Sequence, residues 1–496
     1  MHTNTLTRFR QTAAAAGFLL IATLHAQVPG AAPTEADASP AAAGVRIVRL
    51  SESRGEVKMD RNVGHGFEAA FQNLPIVQGA KLKTDQGVAE VEFEDNSTLR
   101  LTPDTVVEFP KLARDTAGNT LTTVKVLHGT VYASLSDAHT NTFLISSAQG
   151  SLTLRPSTHM QFRTGAAESA LAVYKGSVQA QVGSSLMTVD QKKTLNFGPA
   201  GVVQPQLVSH IEKSAYDDWD KSSIDYHKRY MNSFQTSGNA YGSVSGVSSG
   251  LSDLNYYGSF SDIGGCGNLW RPYFTDASFD PYANGIYAQY AGGYSWVSPY
   301  PWGWLPFHSG SWQYCQGGGG GWGWSPGSTY VGLANTLMPI KPKQGPVRVG
   351  PPHPPIILGS ASLVPIQHQP VVTSKLSNNE KFVFAKGSAG LGIPRQTFGN
   401  LQHAAAHAAQ HGSASADVSW ARASSTGFAS SGNNRSVTSA AGRSTVSAGR
   451  STASAGRSAS ASAPGFSSAS SSAGASHSSG SFGGGGASAG GAASHH

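Results

Sequence analysis

The sequence is poor in charge, in cysteine and in long apolar runs. Asp, Glu, Lys and Arg make up only 13% of its 496 residues, and the formal net charge is +7. A dedicated nucleic-acid binder carries a dense basic stripe. None occurs here, so nucleic acid is not an expected partner. Only two cysteines are present, Cys266 and Cys315. Two thiols cannot supply the four ligands of a structural zinc site. Beyond residue 24 no run approaches the about 20 apolar residues that a spanning helix needs, so the mature chain is expected to have no transmembrane span. The glycine run 317–321 lacks the following Lys and Ser or Thr of a phosphate loop. No convergent acid, base and nucleophile set stands out. No enzyme activity, cofactor or metal site is therefore expected.

The N-terminus carries the clearest local signal. Arg8 and Arg10 precede an apolar run from Thr12 to Leu24, and small Ala26 follows. A charged start, a short apolar core and a small-residue exit are the parts of a secretory signal, assigned to residues 1–26. No Cys follows the apolar run, so no lipid anchor is expected. Residues 27–44 are Ala/Pro-rich and read as a flexible leader. Export is expected to place the chain in the periplasm, or to leave it secreted or in the cell envelope. There a Cys266–Cys315 disulfide is expected, with two free thiols as the alternative. Closing that loop of about 50 residues is worth roughly 4 kcal/mol in the chain-entropy account.

From Val45 to about Gly198 short alternating segments are separated by Gly, Asp, Asn and Pro. Ala89, Val91 and Phe93 alternate with Glu90, Glu92 and Glu94, and Leu99 and Leu101 flank Arg100. A period of two puts apolar side chains on one sheet face and charges on the other. Many such segments predict an all-β sandwich, roll or solenoid. Val126-Leu127-His128-Gly129-Thr130-Val131 reads like Val173-Tyr174-Lys175-Gly176-Ser177-Val178, with Gly55-Glu56-Val57 as an earlier copy of the centre. True repetition and ordinary hairpin punctuation both account for this.

The succession Gly79–Thr84, Gly87–Leu101, Gly129-Thr130-Val131, Phe143–Ser147 and Gly176-Ser177-Val178 resembles the FecR domain over roughly residues 45–200. Two departures stand out. Asp95-Asn96-Ser97 replaces the family's frequent Asp-Gly-Ser, and Arg155-Pro156-Ser157-Thr158 stands where Arg-Gly-Thr is common. The resemblance implies a rigid, non-catalytic β body. FecR itself adds a membrane helix and a cytoplasmic anti-sigma segment. This chain has no expected room for the latter, so that transmembrane role is not carried over.

Residues 208–233 switch to helical spacing, with Ile211, Tyr216, Trp219, Ile224, Tyr226 and Tyr230 set among charges. Asp217, Asp218, Asp220 and Asp225 read as a solvated helix surface. A Ser/Gly linker, 234–250, contains Gly246-Val247-Ser248-Ser249-Gly250. That string matches a nucleophile elbow but lacks the strand-to-helix context the chemistry requires. Residues 251–330 repeat a Pro-aromatic, Gly, aromatic unit: Pro281–Tyr287 matches Pro306–Trp312. This block resembles the Trp/Tyr-rich family of unknown function that often follows FecR-like domains in exported bacterial proteins. Residues 331–400 are Pro-rich and basic, and 401–496 are Ser/Ala/Gly-rich and expected to be disordered. In that last segment His403, His407 and His411 fall at successive four-residue spacings.

The aromatic block offers the one candidate site. Trp296, Trp302, Trp304, Trp312, Trp322 and Trp324 would stack on sugar rings if exposed, or fill the repeat's own core if not. The expected function is an exported, non-catalytic binding or scaffold module, with a cell-wall glycan or an envelope protein as partner. The alternative is an accessory sensor in FecR-type envelope signalling that works through a separate membrane protein.

Overall fold

The structure, a computed structural model, describes residues 46, 48–199, 203–236, 248–263, 265–291, 293–316, 320–330, 363–367 and 381–417. The expected signal, the leader and residues 418–496 lie outside them. The fold class is all-β, with four helices among the described residues: α1 (Asp217–Thr236), α2 (Leu251–Tyr257), α3 (Trp304–His308) and α4 (Leu401–His411). None is long and apolar enough to cross a membrane.

The alternation at residues 88–101 builds the first sheet. Val88–Glu92 pairs antiparallel with Thr98–Leu101, with Ala89 opposite Leu101 and Val91 opposite Leu99. That sheet continues through the C-terminal half of Thr120–Ser134, then His159–Thr164, Ser169–Lys175 and Lys193–Phe197. A second sheet holds Val57–Asp60, Lys81–Thr84, Thr105–Arg114, the N-terminal half of Thr120–Ser134, Asn141–Ser146, Ser151–Leu154, Ser177–Val182 and Ser185–Asp190. One core lies between them. Leu50, Val91, Leu99, Val131 and Leu171 meet Leu82, Val107, Val124, Ile145 and Val178, all buried. Each such side chain contributes roughly 1.5–3 kcal/mol on leaving water.

The glycine motif noted above marks the corners. Thr120–Ser134 pairs within the second sheet up to His128 and within the first from Gly129 onward. Gly129 has φ 100°, and a Cβ there would lie 2.5 Å from Thr105 Cα. Gly176 passes the chain from Ser169–Lys175 in the first sheet to Ser177–Val182 in the second, and Gly55 does so between Val48–Arg54 and Val57–Asp60. The three copies therefore share one role, and none is a hairpin turn. A backbone turning sharply between layers needs the left-handed region that glycine enters without a Cβ penalty.

The expected helix at 208–233 begins later. Gln206–Val208 adds a strand to Lys193–Phe197, and α1 starts at Asp217. Past α2, Gly258–Ile263, Gly267–Pro272, Gly321–Tyr330 and Ser309–Cys315 form a four-stranded sheet in that order. Asn284–Tyr290 lies between Gly293–Val297 and Leu363–Gln367 in a three-stranded one. The repeat has three copies of one packing device. Gly258, Gly285 and Gly310 each stand first or second in a strand, and an aromatic two residues on faces a Trp across the hairpin: Phe260 with Trp270, Tyr287 with Trp296, Trp312 with Trp324. A Cβ at Gly285 would sit 2.1 Å from the Trp296 ring. The missing side chain makes room for the indole.

The expectation of disorder from residue 401 is corrected for 401–417. Leu401, Ala404 and Ala408 form a buried stripe along α4. The Asn400 side chain caps the helix by accepting from the His403 N–H at 2.9 Å. Ser413–Asp417 then pairs with Lys381–Ala385. His403, His407 and His411 lie on the exposed side of α4. No metal-holding cluster occurs among the described residues.

Candidate functional site

The six indoles are core, and the reading of them as an exposed glycan platform is corrected. Trp302, Trp304, Trp312 and Trp324 are 0% exposed, Trp296 1% and Trp322 7%. Trp302 is the hub. Its ring centre lies 4.9 Å from Tyr300, 5.0 Å from Trp270 and 5.7 Å from Trp312, and its Nε1 donates to the Ala389 carbonyl. Hairpins this short have little else to bury, so the rings pack on one another. Cys266, in the turn before Gly267–Pro272, is disulfide-bonded to Cys315 at the end of Ser309–Cys315.

Chemistry-bearing groups gather elsewhere, on the outer face of the first sheet. Alternation assigns Glu90, Glu92 and Arg100 to that face as charges, and the structure adds Arg49, opposite Glu92. The structure covers them with α1, α2 and the segment around Arg395, and all four are buried. Arg49 Nε donates to Glu92 Oε2 at 2.7 Å, and its Nη2 reaches Asp253 of α2. Arg100 donates to Glu90 Oε2 at 3.0 Å and to Asp220 of α1 at 2.8 Å. Arg395 donates to Glu90 Oε1 at 2.7 Å and grips Asp253 with Nε and Nη2 at 2.8 and 2.9 Å. Tyr226 donates to Asp253 at 2.7 Å, and its ring lies 5.0 Å from the Arg395 guanidinium.

The solvated-surface reading of the α1 acids is thereby corrected for two of them. Asp217 accepts from the Tyr132 and Tyr174 hydroxyls, and buried Asp220 bonds both Arg100 and His159. Asp218 and Asp225 do lie outward.

Burial alone would raise the carboxyl pKa values, but the surrounding cations prevail. Glu90 is held well below the usual range, through His227, Arg395 and Arg100. Asp253 is pulled down to about 2, through Arg395 and Arg49. Both are carboxylates at neutral pH. Charges this deep are tolerated only when paired and hydrogen-bonded, and removing one partner is strongly destabilising.

One stretch of the network has the order of a catalytic series. Ser252 Oγ lies 3.2 Å from His227 Nδ1, and His227 Nε2 lies 2.9 Å from Glu90 Oε1. Ser252 and Glu90 are 0% exposed, so no acyl group can approach that hydroxyl. The elbow-like string has a different place. Ser248 donates its hydroxyl to the Glu94 carbonyl, and the Gly250 N–H donates to Glu92. These two contacts tie the start of α2 to the sheet.

Beside the network a cleft of about 580 Å³ opens between the ends of Val48–Arg54 and Val88–Glu92, the start of α1 and residues 395–396. Trp219 and Tyr216, both half-buried, stand in its wall with ring centres 6.4 Å apart. Arg54 lies 5.6 Å over the Trp219 ring and pairs with Glu52 at 2.9 Å.

Residues 80–179 match the FecR protein family, and residues 251–339 match a family of unknown function, DUF6600. The chain carries a FecR domain followed by a DUF6600 domain. The buried network is the seam between them, with Arg49, Glu90, Glu92 and Arg100 on the FecR side or just before it and Asp253 opening the DUF6600 side. Two solved structures of a candidate anti-sigma factor from Parabacteroides distasonis ATCC 8503 are similar at 12% identity. One covers 26% of this chain and 59% of its own, with a TM-score of 0.23; the other covers 30% and 74%, with a TM-score of 0.24. This chain thus spans under two thirds of the first. No curated protein matches.

The seam was not legible in the sequence. Glu90 and Arg100 are 10 residues apart, but Glu90 and Arg395 are 305 apart. The one available cue was an excess of charge on a strand face that precedes an acid-rich helix.

Proposed function

We propose that this chain is an exported, non-catalytic binding or scaffold module of the cell envelope. The observation that carries this reading is the closed seam. Glu90, Asp253, Arg395 and His227 are engaged with one another away from solvent, where they hold two domains together rather than act on a substrate. The aromatic core adds rigidity to the same body. Such a body suits recognition, since preorganised surfaces lose little entropy on binding.

The test is retention. Full-length protein, produced with its own leader, is fractionated and then mixed with isolated envelope material. Export together with retention on cell-wall glycan or a specific envelope protein supports the proposal. Cytosolic residence, or turnover of an ester or glycoside panel, overturns it.

The FecR match favours a second reading, an accessory sensor that works through a separate membrane protein. Crosslinked co-purification of one membrane regulator with the exported chain supports it. Retention on glycan without such a partner favours the first.

A further inference from the structure

We infer that the cleft between the FecR sheet, the start of α1 and the Arg395 segment is a binding site for an uncharged glycan chain. The inference rests on the binding-module reading and gives it a site. Its volume, about 580 Å³, lies within the roughly 300–1,000 Å³ of small-molecule sites.

The charges around the cleft cancel locally. Glu52 is paired with Arg54 at 2.9 Å, and Arg395 is held by Asp253 and Glu90. Asp218, on the outer rim, has Lys213 at 3.4 Å. No excess charge of either sign is left to attract an ionic ligand. The apolar surface is aromatic and fixed. The Arg54 guanidinium lies over the Trp219 ring, the Tyr216 ring stands near-perpendicular to it, and both half-buried rings line the cleft, where flat aromatic surface stacks on the C–H faces of sugars.

Polar groups stand ready beside the rings. The exposed Gln86 side chain bonds to nothing among the described residues. Gln396 donates to the Ser222 carbonyl, which leaves its own oxygen as an acceptor. Amide donors and acceptors around an aromatic floor match hydroxyl-rich, uncharged rings. An extended peptide is the poorer occupant. It would add to a free strand edge, but the lining strands Val48–Arg54 and Val88–Glu92 already pair with each other, Arg54 opposite Val88.

The test is isothermal titration of the full chain with uncharged tetrasaccharides (chitotetraose, cellotetraose and maltotetraose). A sulfated tetrasaccharide and an unrelated hexapeptide serve as comparisons. Binding of at least one uncharged probe is expected, about tenfold weaker for Trp219→Ala and about fivefold weaker for Gln86→Ala. Gln86 has no contact to lose, so Gln86→Ala keeps the test sound if Trp219→Ala loosens the fold. Binding of the peptide or the sulfated probe alone overturns the assignment. So does uncharged-glycan binding that both substitutions leave unchanged. A chain retained on envelope material yet indifferent to both substitutions sinks the cleft and leaves the module reading standing. A chain retained on nothing sinks both.

Discussion

Arg395 Nη1 lies 2.7 Å from Glu90 Oε1, although 305 residues of chain separate them. The same guanidinium holds Asp253 in two-point contact, so one side chain joins the FecR sheet, α2 and the segment that precedes α4. Arg395→Met keeps most of the volume and removes the charge. Glu90 and Asp253 then remain buried with fewer partners. The expected loss is about 3 kcal/mol in urea unfolding of the full chain. A loss below about 1 kcal/mol would place this contact in the class of solvated ion pairs.

Gly129→Ala tests the corner between the two sheets. Positive φ strains any side chain there, and the new Cβ would press on Thr105 Cα. The expected destabilisation is about 3 kcal/mol. Gly118→Ala is the control, since its φ is 86° but no atom lies within 4 Å of a Cβ. Strain alone should cost it about 1 kcal/mol. Equal losses from chemical denaturation would remove the close-packing argument.

His308 gives a pH dependence of definite sign. Burial against Trp304 lowers its pKa from 6.5 to about 4, so the folded state holds it neutral where the unfolded chain protonates it. Stability is therefore expected to fall as pH drops from about 6.5 to about 4, by on the order of 3 kcal/mol. Asp253, depressed to about 2, adds a further loss as pH falls below about 4. Thermal melting of His308→Gln against the parent checks this. The variant should lose the slope between pH 4 and 6.5 and keep the acid limb below it.

Reducing the Cys266–Cys315 bond reopens a loop whose ends are 49 residues apart. The chain-entropy account puts the loss at about 4 kcal/mol. Melting with and without reductant, and of Cys266→Ser, should show the same drop. If Cys266→Ser melts with the oxidised parent, the bond does not constrain the unfolded chain.

The alternation of Ala89, Val91, Leu99 and Leu101 announced the sheets because a period of two is a local property. The fate of Glu90, Glu92 and Arg100 was not local. Whether a charged face meets water or another domain depends on Asp220 and Arg395, which lie far along the chain. The rings of 251–330 pointed in two directions, and burial decided between them. The α4 helix escaped notice because its buried stripe is Leu401, Ala404 and Ala408, and small alanines scarcely raise local hydropathy. The cleft beside Trp219 needed three remote segments to converge, so no single window contained it.

The strand Thr120–Ser134 belongs to both layers of the FecR sandwich, with Gly129 at its bend. The layers are thus covalently cross-braced and cannot shear as two independent plates. A pull applied to one is delivered along a continuous peptide backbone to the other.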